Sequence, residues 1–457
     1  MRNFIVVMLV LAVSGASQSL LAQTSEELAA MESRLMAKLE RRIAEEGTET
    51  KGQIDALRIS FKQAIEALAK SSSDLDRKAL VAIDKGATSD GLAVLEERAK
   101  ARDSAAAQNA AAVTVEARQK EEKNRAEEWK RIGALAFLDN TERAISAYQQ
   151  ALKFAPDDAS ILNQLGELYL RQAQWSERIS VGERLTHLKD PEAQAEGYFN
   201  IADSYLEQGD PERARKEAER GLSVARSANV KRLESRCLSL LAGANAQEGK
   251  FAPADEFAAQ ALKVAQTGGY TYERIMALFT LAGIGEMKVR MMPMNQRAAA
   301  LEDVDRQYSE VEGALLKIED PVAAANVLVN RAGVSLAKGD AALAESRLRT
   351  ALLRLESAGA TARLGYVEAK LGTALVAGNR FDDAIPYFKS SVQRAQQAKD
   401  PGREAVALIA WAQAEATRSN NAEACRLARE AYGVSVRGVH LEAAQRYTEQ
   451  LVKRLCH

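Results

Sequence analysis

Along most of the chain, apolar and small residues recur three and four positions apart, the spacing of one face of an α-helix. The stretch from Gly197 to Leu222 shows the pattern at its clearest. Phe199, Ile201, Ala202, Tyr205 and Leu206 form one stripe, and Ala214, Ala218, Gly221 and Leu222 a second. Gly209-Asp210-Pro211 separates them, a helix end followed by a helix start, with proline in the first helical position where its missing N–H matters least. The pattern predicts two short amphipathic helices joined by a tight turn. Such a hairpin buries too little apolar surface to stand alone, so it implies neighbours on both sides.

The same arrangement recurs. Small residues stand at Gly133, Gly166, Ala202, Ala242, Ala282, Ala332, Gly372 and Ala412. The residue before each is apolar (Ile132, Leu165, Ile201, Leu241, Leu281, Leu371, Trp411) except at Arg331. A second small position follows at Ala144, Ala214, Ala254, Ala344, Ala384 and Ala424, with Arg178 as the departure. The fullest unit joins Trp129, Ile132 and Gly133 to Ala144, Tyr148, Ala151 and Pro156. In these positions the chain resembles the tetratricopeptide repeat family, whose pattern asks for small residues where the two helices of a unit cross. The resemblance implies an all-α fold: a right-handed superhelical solenoid of helix-turn-helix repeats. The physical reason is close approach, since Gly or Ala at a crossing lets two helix axes reach the short end of the usual spacing. Large residues there would overpack.

Spacing refines the expectation. The intervals 202 to 242, 242 to 282, 332 to 372 and 372 to 412 are each 40 residues, against about 34 for the common unit, so these helices should be longer by about a turn. The interval 282 to 332 is 50 residues, which places an insertion near Met287–Asn295. Pro156, Pro191, Pro211, Pro253, Pro293, Pro321 and Pro401 are expected between helices, and Pro386 in a first turn.

The N-terminal segments differ in character. Arg2 and Asn3 precede an apolar run from Phe4 to Val13 and small and polar residues to Ala22. That is the layout of a secretory signal peptide (1–22), cleaved after Ala22 or, as a second choice, after Ala16. Gln23 stands where a lipoprotein would carry its lipidated cysteine, so no lipid anchor is expected and the mature protein should be periplasmic or secreted. Residues 23–72 carry Leu28, Met31, Leu35, Leu39 and Ile43 on one face, and Ile54, Leu57, Phe61, Ile65 and Leu68 likewise. They form one long helix or, broken at Gly47 and Gly52, a hairpin. The apolar stripe needs a partner, either a second copy in a coiled coil or the array itself. Residues 73–130 read as a degenerate first unit, around Leu80, Val81 and Ala93, whose second helix runs on toward Lys130. The array proper occupies 131–439, and 440–457 reads as a capping helix.

Composition changes this picture little. With 62 basic against 63 acidic residues the net charge is −1, which provides no global field for nucleic acid or an anionic membrane. The three histidines, His187, His440 and His457, are scattered without metal-ligand spacing. Gly243–Lys250 lacks the glycine spacing of a phosphate loop, and Phe251 stands where Ser or Thr is needed. No catalytic residues, cofactor or metal are therefore assigned. In an exported protein Cys425 and Cys456 could bridge and pin the C-terminal end, while Cys237 falls on a packed helix face. Met276, Met287, Met291, Met292 and Met294 cluster in or beside the insertion. They suit packing, a pliable contact surface or, as an alternative function, Cu(I) handling through 287–294.

The reading that follows is a non-enzymatic protein–protein interaction scaffold of the cell envelope, binding a peptide or protein segment in the array's groove. In layout the chain is similar to periplasmic cell-division coordinators that join a signal peptide, a coiled coil and tetratricopeptide repeats, although those carry far fewer repeats. The resemblance assigns the groove to the second, fifth, ninth, twelfth and thirteenth positions of each first helix. The assigned groove residues are Lys130, Asn163, Glu167, Arg171, Glu196, Phe199, Asp203, Leu206 and Glu207. The clamp some members use for a C-terminal carboxylate is not matched, because Ala134, Gln164 and Glu196 replace its polar and basic residues. An acidic groove around exposed Phe199 and Leu206 should instead favour a segment carrying Lys or Arg beside an apolar anchor.

Overall fold

The structure, a computed structural model, describes residues 25–46, 51–109, 114–172, 174–318, 320–357, 361–397, 400–437 and 442–456. The expected signal peptide, its cleavage site and His440 lie outside them. Among the described residues the elements are 21 α-helices and one 3-10 turn, with no strand. The chain divides into two compact units, the described residues up to Glu40 with Asp55–Pro156, and Arg41–Ile54 with Asp157 onward.

The helices α1 (Ser25–Glu46) and α2 (Lys51–Ala69), whose stretches up to Glu40 and from Asp55 belong to the first unit, form an antiparallel hairpin rather than one helix. Glu32 pairs with Lys62 at 3.0 Å and Glu40 with Arg58 at 2.6 Å, so the two sequences run in opposite directions. The apolar stripe that was expected to seek a partner is covered within the chain: Leu35, Leu39 and Phe61 have no exposed surface. Arg34 of α1 reaches Asp84, at the end of α3 (Asp74–Asp84), at 2.6 Å. Docking is thus intramolecular, and no second copy is needed to explain the stripe.

The helix expected to run on toward Lys130 is two helices, α4 (Thr88–Asn109) and α5 (Val115–Ala136). Thr114 caps the second by accepting from the Ala117 amide at 3.2 Å. The two lie antiparallel, with Arg102 paired to Glu121 at 2.7 Å and Arg125 to Asp103 at 2.6 Å. Like-sided charges, unlike an alanine-rich pattern, carry the fold-back, and that is why periodicity alone missed it. α5 then pairs with α6 (Thr141–Leu152) as the first repeat. A Cβ at Gly133 would sit 2.9 Å from the Tyr148 ring, so the crossing closes only on glycine.

The second unit is the array. After the short pair α7 (Ala159–Arg171) and α8 (Trp175–Thr186), the helices lengthen to 17 residues or more: α9 (Pro191–Glu207), α10 (Pro211–Ser227), α11 (Lys231–Gln247) and α12 (Phe251–Gly268). The pattern resumes in α15 (Pro321–Ala337), α16 (Ala341–Ser357), α17 (Thr361–Ala377), α18 (Phe381–Gln397), α19 (Pro401–Thr417) and α20 (Asn421–Arg437). The capping helix α21 (Glu442–Leu455) follows. Each packs on its sequence neighbours, as a repeat array requires.

Two local devices set the 40-residue phase. Asp190, Asp210, Asp320 and Asp400 each cap a helix whose first residue is proline, accepting from amides of the first turn. The turn closing each first helix uses a left-handed residue at Gly209, Gly249, Gly339, Asn379 and Ser419. Where the series would place one at 289, Val289 is buried inside a continuing helix. The insertion is therefore not a loop. It lengthens both members of one pair, α13 (Thr271–Met291) and α14 (Arg297–Lys317), to 21 residues, about 6 Å more per helix than 17 would reach. Two proline expectations also change. Pro253 lies in the first turn of α12, and Pro386 lies beyond the first turn of α18 on its exposed face, where the Asp382 carbonyl it leaves unpaired can face water.

Candidate functional site

The first helices of the array units (α7, α9, α11, α13, α15, α17, α19) carry the positions assigned to the groove. Asn163 and Glu167 on α7 are half-buried, and the Arg171 side chain lies outside the described residues. On α9, Glu196 is buried, Phe199, Asp203 and Leu206 are half-buried, and Glu207 is exposed. Lys130 stands on α5 in the first unit, 3.7 Å from Glu127, and is described separately from these.

The structure gathers Glu196, Phe199 and Asp203 with three arginines outside the assigned set. Arg236 Nη1 donates to Glu196 Oε1 at 2.8 Å, and its guanidinium lies 3.8 Å from the centre of the Phe199 ring. Arg232 comes within 3.5 Å of Glu196. Arg178 Nη1 donates to Asp203 Oδ2 at 2.6 Å and Nη2 to Asn200 Oδ1 at 3.2 Å. Burial pulls the Arg236 pKa down, but the carboxylates of Glu196 and Glu167 outweigh it and hold the guanidinium above its ordinary value. At exposed Glu207, partial withdrawal from water and the neighbouring Asp203 carboxylate raise the pKa.

These contacts correct the expected acidic groove. Glu196 and Asp203 are neutralised across adjacent helices, and Phe199 and Leu206 pack against a buried cluster that includes Leu238 and Leu241. Converting Glu196, Asp203 and Glu207 to Lys would not be a benign surface change. It would place two lysines against arginines inside the array.

Further along, between α17, α18 and α19, a cavity of about 550 Å³ opens. Tyr366 and Ala369 line it from α17, Ser391 and Arg394 from α18, and Arg403 and Val406 from α19. Counting Gly372 and Ala412 as eighth positions, Tyr366 and Val406 are second and Ala369 is fifth in their units. Those are groove positions that the sequence reading did not follow beyond its third unit. Tyr366 and Val406 remain 43% and 46% exposed although apolar, unlike Phe199 and Leu206. Arg394 Nε donates to both oxygens of Glu368 at 3.1 Å, and Arg403 lies 3.2 Å from Asp400. Burial and the neighbouring Arg403 bring the Arg363 pKa down to about 10.

The other departure from the small-and-apolar pattern, Arg331, also has a place. Its Nη1 donates to Glu312 at 2.7 Å and its Nε to Asp305 at 3.1 Å, while Arg347 reaches the same Asp305 at 2.7 Å and Arg354 the same Glu312 at 2.7 Å. Both irregular positions are thus arginines that tie neighbouring helices, Arg331 through shared carboxylates and Arg178 through Asp203 and Asn200.

Cys425 and Cys456 are joined by a disulfide with Cα atoms 4.9 Å apart. Cys237 is a buried thiol whose pKa burial pushes up to about 12. The methionines of the lengthened pair diverge. Met287 packs in one buried cluster and Met292 in another, whereas Met291 and Met294 are each 78% exposed at the tip. Among the described residues no three His, Cys, Asp or Glu side chains gather as metal ligands, and no helix is long and apolar enough to cross a membrane.

The geometry defines a helical repeat protein of the solenoid class. Residues 138–172 match the family described as TPR repeat and residues 195–227 the tetratricopeptide repeat. The chain thus carries tetratricopeptide repeats in these two segments. Among solved structures it is similar to the human IFIT1 dimer with m7Gppp-AAAA, at 13% identity, 95% of each chain covered and a TM-score of 0.49. It is similar also to aspartyl phosphate phosphatase F from Bacillus subtilis, at 14% identity over 81% of this chain and 96% of that one, with a TM-score of 0.47. The Rap protein complexed with competence and sporulation factor matches at 12% identity over 74% of this chain and 98% of that one, with a TM-score of 0.45. Likeness at this level says nothing about activity. No curated protein matches the sequence. Tetratricopeptide-type arrays are in general non-catalytic interaction folds.

Proposed function

We propose that the protein is an exported, non-enzymatic scaffold that binds an extended protein segment along the first-helix face of its array. The cavity between α17, α18 and α19 carries this reading, because it opens at second and fifth positions and leaves Tyr366 and Val406 uncovered. Uncovered apolar side chains lining a concavity favour a ligand, whereas singly scattered ones need no explanation. Around Glu196 and Asp203 the same face is closed by ion pairs, so the binding region lies toward the C-terminal units. Export is supported by the sequence of residues 1–22 and by the Cys425–Cys456 bond, which suits an oxidising compartment.

A photo-crosslinking residue at Val406 of the full chain, expressed in its own host, tests the assignment. A discrete protein adduct should form from position 406 and not from Leu353, which is 63% exposed on a second helix. Equal adducts from both positions would refute the groove reading. N-terminal sequencing should find the mature chain starting near Gln23. Intact Met1 on the bulk protein would refute export.

A further inference from the structure

We infer that the cavity between α17, α18 and α19 takes an Asp or Glu side chain flanked by an aliphatic or aromatic residue, from within an extended segment of a partner protein. The inference deepens the scaffold reading and rests on it.

The walls divide by chemistry. Tyr366, Ala369 and Val406 supply apolar surface, and Arg394 of α18 and Arg403 of α19 line it as well. Arg363 lies close enough to Arg403 to be repelled by it, and its buried Nε has no hydrogen-bond partner among the described residues. Carboxylates do face these guanidinium groups, but each already has work in the fold. Glu368 accepts from Arg394 Nε alone, which leaves that side chain's Nη fork for a second acceptor. Asp400 caps α19 through the Arg403 amide at 2.9 Å, and Asp320 caps α15 through the Ala323 amide at 2.9 Å. Their charge is shared with helix N-termini, which themselves favour anions. A site so arranged selects for a carboxylate, which a guanidinium fork meets with charge-assisted hydrogen bonds.

The second position bears on which carboxylate. The side-chain clamp for a chain-terminal carboxylate is not matched here either, because apolar Val406 holds the second position that Glu196 holds in the earlier unit. Asp400 accepts from the Arg403 amide in the first turn of α19. An internal acidic side chain, reached by side-chain forks alone, is the better fit.

A random peptide library displayed as internal fusions and selected on the full-length mature protein tests this. The selected pool should be enriched in Asp or Glu next to Leu, Ile, Phe or Tyr. Single peptides are then made with acetylated and amidated ends, and their affinity is read by fluorescence anisotropy. Arg394→Gln should weaken binding about tenfold, the size of one lost charge-assisted contact. Because Glu368 could suffer from that change, Val406→Glu is the second variant, at a position exposed enough to fold normally. It should weaken binding by at least as much through repulsion. Asp-to-Lys replacement in the peptide should abolish binding. A basic or uncharged consensus overturns the inference, as does binding unmoved by both variants, and either leaves the scaffold reading standing. Tighter binding of the same peptide with a free C-terminal carboxylate and its acid replaced by Ala overturns the internal-acid assignment. Failure to enrich any peptide counts against this inference and the groove reading together.

Discussion

Arg178, with no exposed surface, donates from Nη1 to Oδ2 of Asp203 at 2.6 Å, an ion pair between two helices of adjacent repeats. It occupies a position where the repeat pattern asks for a small residue, and Gly166, Gly182 and Gly197 stand on the helices around it. A Cβ at Gly166 would lie 3.3 Å from the Asn200 amide that shares the arginine, and one at Gly197 2.6 Å from the Gly182 carbonyl. The space that small side chains usually provide at one position is provided here at others.

That arrangement predicts an asymmetry. Asp203→Ala strands a buried guanidinium and should destabilise the array by about 3 kcal/mol, the lower end for removing one partner of a buried pair. Arg178→Met fills the same volume and leaves a carboxylate that still reaches water, so about 1 kcal/mol is expected. Because distant repeats unfold semi-independently, amide exchange in α7 to α10 is the measurement of choice. Equal losses for the two variants would mean that packing, not charge pairing, holds this junction.

The disulfide should act locally. Cys425 and Cys456 are 31 residues apart, and closing a loop of that length contributes about 3–4 kcal/mol in the chain-entropy account. In an array where each unit touches only its neighbours, that contribution falls on α20 and α21. The double variant Cys425→Ser, Cys456→Ser should lose exchange protection in those two helices. Residues 191–337 should keep theirs. Loss throughout the array would show that the cap controls global unfolding.

Small residues at crossings were legible because sterics act within one hairpin. Gly372 faces the Phe388 ring, where a Cβ would come within 2.7 Å, and both residues belong to one 40-residue unit. Arg178 and Arg331 were legible only as irregularities. Their partners Asp203 and Asp305 are about 25 residues away, on neighbouring units, and a helical stripe does not reveal which charges meet across a junction. For the same reason, the acids near Phe199 read as a surface. Arg232 and Arg236, which neutralise Glu196, lie one unit later. The cavity lined by Tyr366 and Val406 sits at positions the family pattern names, but the pattern does not say which unit keeps them uncovered.

Asp305 gives the acid limb of stability a testable component. Burial alone would raise its pKa, but the hydrogen bonds from Arg331 and Arg347 prevail and hold it below the ordinary carboxylate value. A carboxylate depressed in the folded state contributes stability above its unfolded pKa of about 4, and that contribution is lost as pH falls through the folded value. Asp305→Asn should therefore be less stable than the parent at pH 7, and the gap should narrow below about pH 4. Cys237 has the opposite sense. Its thiol is pushed up to about 12 by burial, so the unfolded chain releases the proton first and stability falls as pH rises from about 8.5 toward the folded value. Alkylating reagents at pH 8 should leave Cys237 unmodified until the array opens. Rapid labelling of the native protein would contradict its burial.

The hairpin α1–α2 makes the last prediction, on assembly. A free amphipathic stripe of this length would drive coiled-coil association. Here Leu35 and Leu39 from α1 and Phe61 and Ile65 from α2 are already at most 3% exposed within a single chain. Ion pairs fix the register: Glu32 to Lys62, Glu40 to Arg58, and Arg34 to Asp84 on α3. Parallel pairing with a second copy would have to expose this surface first, at about 25 cal/mol for each Å² of apolar area. The mature protein is therefore expected to be monomeric by light scattering. Deleting residues 25–69 should not convert an oligomer to a monomer. It should remove Arg34 and Lys38 from the end of α3, where they hold Asp84 and the Ile83 carbonyl, and so loosen α3 and promote aggregation and dye binding to exposed apolar surface. A stable dimer that becomes a soluble monomer on this deletion would show that the hairpin opens to pair between chains.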